Sequence, residues 1–213
     1  MNDKTFQIVV QVVVLLFAVS FHESAHGWVA MKCGDNTARD LGRITLNPLK
    51  HIDPIGSVFF PLMLAFAGLP IFGWAKPVPI SLRGVPKPRQ ANLLISGAGP
   101  VSNMLVAIGS AVVCLVLRLS VDAVPREVLV PLYALAAASV MVNSALAVFN
   151  LVPIPPLDGF GVLESLLPPS LAHVAIWLRR FGFILLAIVI FTGALGPLFK
   201  LVLGPISRWV YLQ

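Results

Sequence analysis

Apolar residues in this sequence form five long runs, which are separated by short polar connections. Four of the runs are long enough to cross a bilayer as an α-helix, which takes about 20 residues. The other run is shorter and contains Pro61, Gly68 and Pro70, so it predicts either a short span or a segment that enters the bilayer and returns. The predicted spans are residues 6–31, 93–117, 131–151 and 181–203, and the shorter run is 55–72.

Two of the polar connections have the character of extended chain. Residues 39–47 contain β-branched residues near glycine and proline, a pattern typical of a short strand. In residues 73–80, Pro77 and Pro79 exclude regular helix and favour strand geometry in the residues before them. The pattern therefore predicts an all-α polytopic membrane protein, a bundle of about four to five transmembrane helices with one segment that spans or re-enters and with short membrane-associated strands.

Composition agrees with a single integral-membrane domain. Of the 213 residues, 58% are hydrophobic and 11% are charged, and the mean hydropathy is +0.92, which excludes an ordinary soluble domain. The formal charge of +6 does not indicate a nucleic-acid partner, because the basic residues lie between the apolar runs as topology signals do. Cys33 and Cys114 lack C-x-x-C spacing, so neither a disulfide framework nor a cysteine metal site is predicted.

The first apolar run carries three ionisable residues near its C-terminal end. On a helix, His22 and His26 lie one turn apart on one face, where both imidazoles can bind one metal ion, while Glu23 is offset enough to hold a water. This is the H-E-x-x-H arrangement of zinc peptidases. The alternative is polar side chains that neighbouring helices satisfy. Ionisable groups inside a span are costly and usually functional, which favours the metal site.

The next full span carries a small residue and an amide one turn apart. Gly99 allows the backbone of a neighbouring helix to approach closely, and Asn103 can form a hydrogen bond between helices. Packing alone is the alternative explanation of this pair.

Residues 150–159 contain three prolines, which end the 131–151 helix and deliver Asp158. A simple Asp-Gly turn is one interpretation. An acid that follows unwound backbone at membrane depth instead favours a cavity or an ion. Two histidines leave a catalytic zinc one protein ligand short, and Asp158 is the best-placed remaining carboxylate. His51 is predicted to be interfacial, with a further ligand or a gate as the alternative.

Three motifs together resemble the site-2 proteases, zinc metalloproteases that cut peptide bonds within or beside membranes. The motifs are H-E-x-x-H at 22–26, G-x-x-x-N at 99–103 and N-x-x-P-x-P-x-x-D-G at 150–159. They follow the family's order, each on the expected span, and the resemblance covers roughly residues 8–160. Neither a PDZ nor a CBS domain is recognised, so we expect a compact member of the family.

The resemblance implies an intramembrane zinc metallopeptidase with one Zn²⁺ per chain, whose substrate is a membrane protein with a transmembrane segment. A helical substrate must unwind before cleavage, and the extended pieces near Thr45 and Val78 are predicted to receive it by strand pairing. The resemblance implies these site residues: Glu23 as general base; His22, His26 and Asp158 as zinc ligands; and Gly99, Asn103 and Asn150 at the substrate site.

A non-catalytic membrane protein is the competing interpretation. A metal-binding scaffold or an ion pathway would use the same intramembrane polar groups. Glu23 favours an enzyme, because a scaffold needs the ligands but no base. A pore would also need polar residues in rows through several spans, and the sequence has no such rows.

The metal ligands determine the expected topology. His22 and His26 lie near the C-terminal end of the first span, and Asp158 follows the C-terminal end of 131–151, so both ends must face one side. This requires 55–72 to be re-entrant and leaves four crossings. Most basic residues then share the side of the metal site, which the positive-inside rule assigns to the cytoplasm. We therefore expect a multi-pass protein of the cytoplasmic membrane with an external N-terminus and an active site that opens toward the cytoplasm.

Overall fold

A computed structural model describes residues 3–68 and 73–211 of the chain. Within these ranges eight α-helices are present, joined by turns and by short stretches of 3-10 and π-helix. The α-helices are α1 Asp3–Lys32, α2 Thr37–Asp40, α3 Phe60–Phe66, α4 Pro88–Leu119, α5 Arg126–Asn150, α6 Asp158–Leu166, α7 Ala172–Phe191 and α8 Gly196–Tyr211. The other helical turns are Pro48–Lys50, Pro54–Phe59 and Pro169–Leu171.

Four helices are long and apolar enough to cross a membrane, as the sequence predicts. Proline marks the start of two of them: Pro88 is the first residue of α4, and Pro125 directly precedes α5. A proline fits there because the first turn of a helix leaves its N–H groups without helical partners. The four candidate spans are Thr5–Lys32, Pro88–Leu119, Arg126–Asn150 and Pro169–Phe191.

The prediction of short strands is wrong for the described residues, since neither 39–47 nor 73–80 forms one there. Side chains of α1 take the backbone groups that a strand would use. The Ser24 hydroxyl contacts both the N–H and the carbonyl of Thr45, and the Glu23 carboxylate accepts the N–H of Val78. These two connections therefore lie along α1 as irregular chain.

The last predicted span, 181–203, is also corrected. The helix begins earlier, at Ala172, and ends at Phe191, and a turn that includes Gly193 at φ +69° separates it from α8. Gly196 and Pro197 interrupt the apolar run there, but hydrophobic residues continue on both sides, so the run is predicted as one span. α8 then packs against α5, where its Val210 is fully buried.

The predicted segment 55–72 is described as far as residue 68, while residues 69–72 lie outside the described ranges. Its first part forms the π-helical turn Pro54–Phe59 and then α3. The chain returns beside its starting point, because the Lys76 N–H donates to the His51 carbonyl at 2.9 Å and the Trp74 N–H donates to the Gly56 carbonyl at 3.1 Å.

α4 lies at the centre of the bundle and contacts α1, α5 and α6. Small residues let these helices approach closely. Ala30 of α1 packs with Ala91 of α4, and Ala137 of α5 packs with Cys114 near the other end of α4. This packing sets the middle of α4 against the part of α1 that carries the H-E-x-x-H motif.

Candidate metal centre

The structure brings the three predicted zinc ligands together. His22 and His26 come from α1, and Asp158 is the first residue of α6. The two Nε2 atoms lie 3.1 Å apart, His22 Nε2 lies 3.0 Å from Asp158 Oδ2, and His26 Nε2 lies 3.3 Å from Asp158 Oδ1. Both histidines are buried, at 6% and 7% exposure.

α4 orients both imidazole rings. His26 Nδ1 lies 2.6 Å from the Ile95 carbonyl, which can only accept, so this nitrogen carries the proton. His22 Nδ1 lies 2.6 Å from Asn103 Oδ1 and donates to it in the same way. A neutral imidazole protonated at Nδ1 has its lone pair on Nε2. Both Nε2 lone pairs therefore face Asp158.

This arrangement fits a zinc ion. With each ring proton on Nδ1, two nitrogen lone pairs and a carboxylate face one another, an arrangement that a cation among them stabilises. A tetrahedral zinc with nitrogen and oxygen ligands at about 2.0–2.1 Å separates those ligands by about 3.3 Å, close to the observed distances. Asp158 Oδ2 is also buried without a hydrogen-bond partner in the described part of the chain.

Two glycines allow the ligands to meet. A Cβ on Gly99 would lie 2.5 Å from His22 Cε1 and 2.5 Å from His26 Nε2, so only glycine lets α4 pack directly on the imidazoles. A Cβ on Gly159 would lie 2.2 Å from the Leu151 carbonyl oxygen, so α6 can start against the end of α5 only with glycine there. That contact places Asp158, the preceding residue, beside α1.

Glu23 lies on α1 between the two histidines in sequence and contacts a different part of the protein. Its Oε2 accepts the N–H of Val78 at 2.8 Å. Residues 73–80 therefore run beside Glu23. Gly27, one turn later on α1, lets this stretch pack closely, since a Cβ on Gly27 would lie 3.2 Å from the Val78 side chain. Irregular chain thus runs along the turn of α1 that carries Glu23 and the two histidines.

Asp35 fixes the far end of that connection. Its carboxylate accepts the N–H of Ser81 at 2.6 Å and the N–H of Thr37 at 2.9 Å. Burial alone would raise the pKa of Asp35, but the hydrogen bonds from Thr37 and Ser81 hold the pKa below its usual value. Asp35 therefore stays ionised at neutral pH and ties the chain before α4 to the end of α1.

Comparison with known proteins identifies the family. The chain is 39% identical over 189 residues to the "Putative zinc metalloprotease YwhC" of Bacillus subtilis (strain 168), covering 87% of this chain and 81% of that protein. The chain belongs to the site-2 protease family. It is also 29% identical to the "Putative zinc metalloprotease Rip2" of Mycolicibacterium smegmatis and 26% identical to that of Mycobacterium tuberculosis (H37Rv), in each case covering 86% of this chain and 67% of the relative. No family model and no solved structure matches the chain.

As a site-2 protease, the protein is an intramembrane zinc metallopeptidase, a hydrolase with Zn²⁺ as cofactor. Its apolar helices make it a multi-pass integral membrane protein of a lipid bilayer. These findings confirm the predicted activity and cofactor. They also decide between the two classes considered from sequence, in favour of the enzyme.

The remaining predicted residues of this site-2 protease lie around the ligands in different ways. Asn103 is fully buried behind His22, and its amide contacts His22, Ala18 and Asn143. Asn150 is half-buried and donates to the Leu146 carbonyl of its own helix. A role for either residue at the substrate stays a prediction.

His51 lies apart from the three ligands. It is buried, and its Nε2 lies 2.9 Å from the Thr45 carbonyl oxygen. Among the described residues, the potential metal cluster consists of His22, His26 and Asp158. Two contacts of the site were not expected from sequence, the Val78 N–H on Glu23 and the Asn143 amide behind Asn103.

Proposed function

We propose that His22, His26 and Asp158 bind the catalytic zinc of this site-2 protease and that Glu23 is the general base for peptide-bond hydrolysis. The convergence of two Nε2 lone pairs and a carboxylate at 3.0–3.3 Å carries the proposal, because such a set of acceptors needs a cation. When bound, zinc supplies Lewis-acid polarisation of the scissile carbonyl.

Glu23 then handles the protons. It takes a proton from the attacking water and gives it to the leaving amine as the C–N bond breaks, so that a carboxylic acid and a neutral amine form, and these exchange a proton to give a carboxylate and an ammonium group. Val78 holds Oε2 in place through its N–H, which fixes the direction of the carboxylate, and we assign Oε1 to the water. The buried histidines beside it limit the entry of bulk water.

The substrate is a membrane protein whose transmembrane segment unwinds next to Glu23. An intact helix hides its amides in internal hydrogen bonds, so cleavage requires an extended stretch. Residues 73–80 run beside Glu23 and are the nearest irregular chain on which such a stretch could lie. Cysteines at Thr45 and Val78 should then cross-link to a trapped substrate, and cross-links elsewhere but not at these positions would contradict this placement.

The topology follows from where the ends of segments meet. The backbone hydrogen bond between Lys76 and His51 supports a re-entrant 55–72. Arg118 at the end of α4 donates to the Trp209 carbonyl near the end of α8. This second contact supports one side of the membrane for the C-terminal ends of α4 and α8. We assign the site to the cytoplasmic side of the cytoplasmic membrane, because more basic residues lie on that side. Labelling of a cysteine at Arg83 by an impermeant reagent outside intact cells would overturn this assignment, whereas one at Arg126 should be labelled.

The decisive experiment separates zinc binding from proton transfer. Purified Glu23→Gln should keep zinc and fail to cleave a substrate that the wild type cleaves, because the change removes the base and no ligand. The matched control is Glu164→Gln on α6, which removes a carboxylate that pairs with Arg179 away from the ligands and should leave cleavage intact. Cleavage by Glu23→Gln would refute the assigned mechanism.

A further inference from the structure

Behind His22 lies a chain of buried amides that reaches from the ligand into α5. Asn103 is 0% exposed and Asn143 is 1% exposed. Asn103 Nδ2 donates to Asn143 Oδ1 at 2.8 Å, and Asn143 Nδ2 donates to the Ser139 carbonyl at 2.9 Å. Together with the 2.6 Å contact between His22 Nδ1 and Asn103 Oδ1, these side-chain hydrogen bonds connect α1, α4 and α5 in series.

The direction of every hydrogen bond in this chain is fixed by its far end. The Ser139 carbonyl can only accept, so the Asn143 amide must present its NH₂ there and its oxygen to Asn103. Asn103 must in turn present its NH₂ to Asn143 and, at 3.2 Å, to the Ala18 carbonyl. Its oxygen then faces His22 Nδ1, which has to carry the proton.

We propose that Asn143 is a positioning residue for peptide hydrolysis, acting through Asn103 to hold His22 in the orientation and tautomer that leave Nε2 free for zinc. The inference rests on the proposed function, in which His22 is a ligand. It also gives Asn103 a role besides the one predicted at the substrate, since its oxygen and NH₂ group contact His22, Ala18 and Asn143.

A purely structural role for Asn143 is the competing explanation, since amides often join helices in membranes. Such a role predicts a loss of stability when Asn143 is changed, and nothing specific to the metal. A positioning role predicts weaker zinc binding, because hydrogen-bond partners of metal-bound histidines typically contribute about 10–100-fold to metal affinity or activity. The metal is therefore the readout that separates the two.

The test compares Asn143→Ala with Asn143→Asp in the full-length protein. In Asn143→Ala, Asn103 loses its acceptor in α5, so we expect zinc affinity and kcat to fall at least about tenfold and the visible spectrum of the Co²⁺-substituted protein to change. Asn143→Asp, as a neutral acid, keeps an oxygen toward Asn103 and can donate to the Ser139 carbonyl, so it should recover most of the loss. Tyr133→Phe is the matched control, since it removes another polar contact between helices, to Val210, and should leave zinc affinity and spectrum unchanged.

The variants distinguish a failure of the role inferred for Asn143 from a failure of the proposed function. If His22→Ala abolishes zinc binding while folded Asn143→Ala binds zinc like the wild type, the inference fails and the proposed function stands. If His22→Ala keeps zinc and activity, both fail. Should Asn143→Ala not fold, ¹⁵N NMR of the labelled His22 ring in zinc-free wild type decides, and a proton on Nε2 there would overturn the inference.

Discussion

Polar groups between helices at the two ends of the bundle differ in what they leave unsatisfied. At the metal centre, the Nε2 atoms of His22 and His26 and the carboxylate of Asp158 are all hydrogen-bond acceptors, and they face one another. At the other end, Arg118 brings donors to acceptors: it donates to the Tyr133 hydroxyl and to the carbonyls of residues 209 and 210 at the end of α8. The first set needs an added cation, whereas in the second set the Arg118 guanidinium is the cation.

The difference shows how to distinguish a functional polar group from a structural one in a membrane protein. Arg118 also lies over the ring of Trp209, with its guanidinium carbon 4.7 Å from the ring centre, and the carboxyl end of a helix favours a positive charge. All of these contacts of Arg118 are made with groups of the protein itself. Polar contacts between helices are common to both ends, so the separating property is whether the partners complement one another.

The largest expected effect comes from removing an acceptor at the metal centre. His26→Ala should lose zinc and bring cleavage down to background while the bundle stays folded, because the other contacts between α1 and α4 remain. Asp158→Ala should behave alike. Metal analysis and circular dichroism of the purified variants measure both properties. Full zinc occupancy without Asp158 would require another third ligand, with His51 the first to examine.

A smaller effect is expected when the ligands are moved and not removed. Gly99→Ala places a Cβ about where the imidazoles lie, so zinc affinity and cleavage should fall about 100-fold, the order that a displacement of about 1 Å produces. Gly97→Ala on the same helix is the control, since a Cβ there meets nothing within 4 Å. Equal activity of the two variants would mean that the imidazoles shift without cost.

The smallest effect on catalysis is expected at the other end. Arg118→Met should destabilise the protein by about 1–3 kcal/mol, because it removes the Arg118 donor to the Trp209 carbonyl and one of the two donors to the Val210 carbonyl, and should leave zinc affinity unchanged. Thermal unfolding of the zinc-loaded protein, together with a zinc titration, measures this separation. A loss of zinc without a loss of stability would contradict the distinction between the two ends.

Helix periodicity and motif spacing made the metal centre largely predictable. The four-residue spacing of His22 and His26 places them on one face of any helix, and three prolines close together before Asp158 favour the end of a span. Four long apolar runs likewise required helices that can cross a bilayer. These features depend on local sequence alone.

The features that were missed depend on contacts between distant residues. β-branched residues and prolines favoured strands at 39–47 and 73–80, but Ser24 and Glu23 on α1 took their backbone groups. The break before α8 falls beside Gly196 and Pro197, which interrupt the apolar run, but hydrophobic residues on both sides made it read as one span. Asn143 offered one local sign, an amide in the middle of an alanine-rich span, and its connection to His22 runs through Asn103, which lies 40 residues earlier.

The hydrogen bond between Glu23 and Val78 determines which substitutions at position 78 could remove it. The group that holds the carboxylate is a backbone N–H, which nineteen of the twenty encoded amino acids possess. An alanine scan or a survey of missense variants would therefore detect only the packing of the Val78 side chain. A proline codon at position 78 would remove the hydrogen bond itself, and it would extend Pro77 and Pro79 into three consecutive prolines.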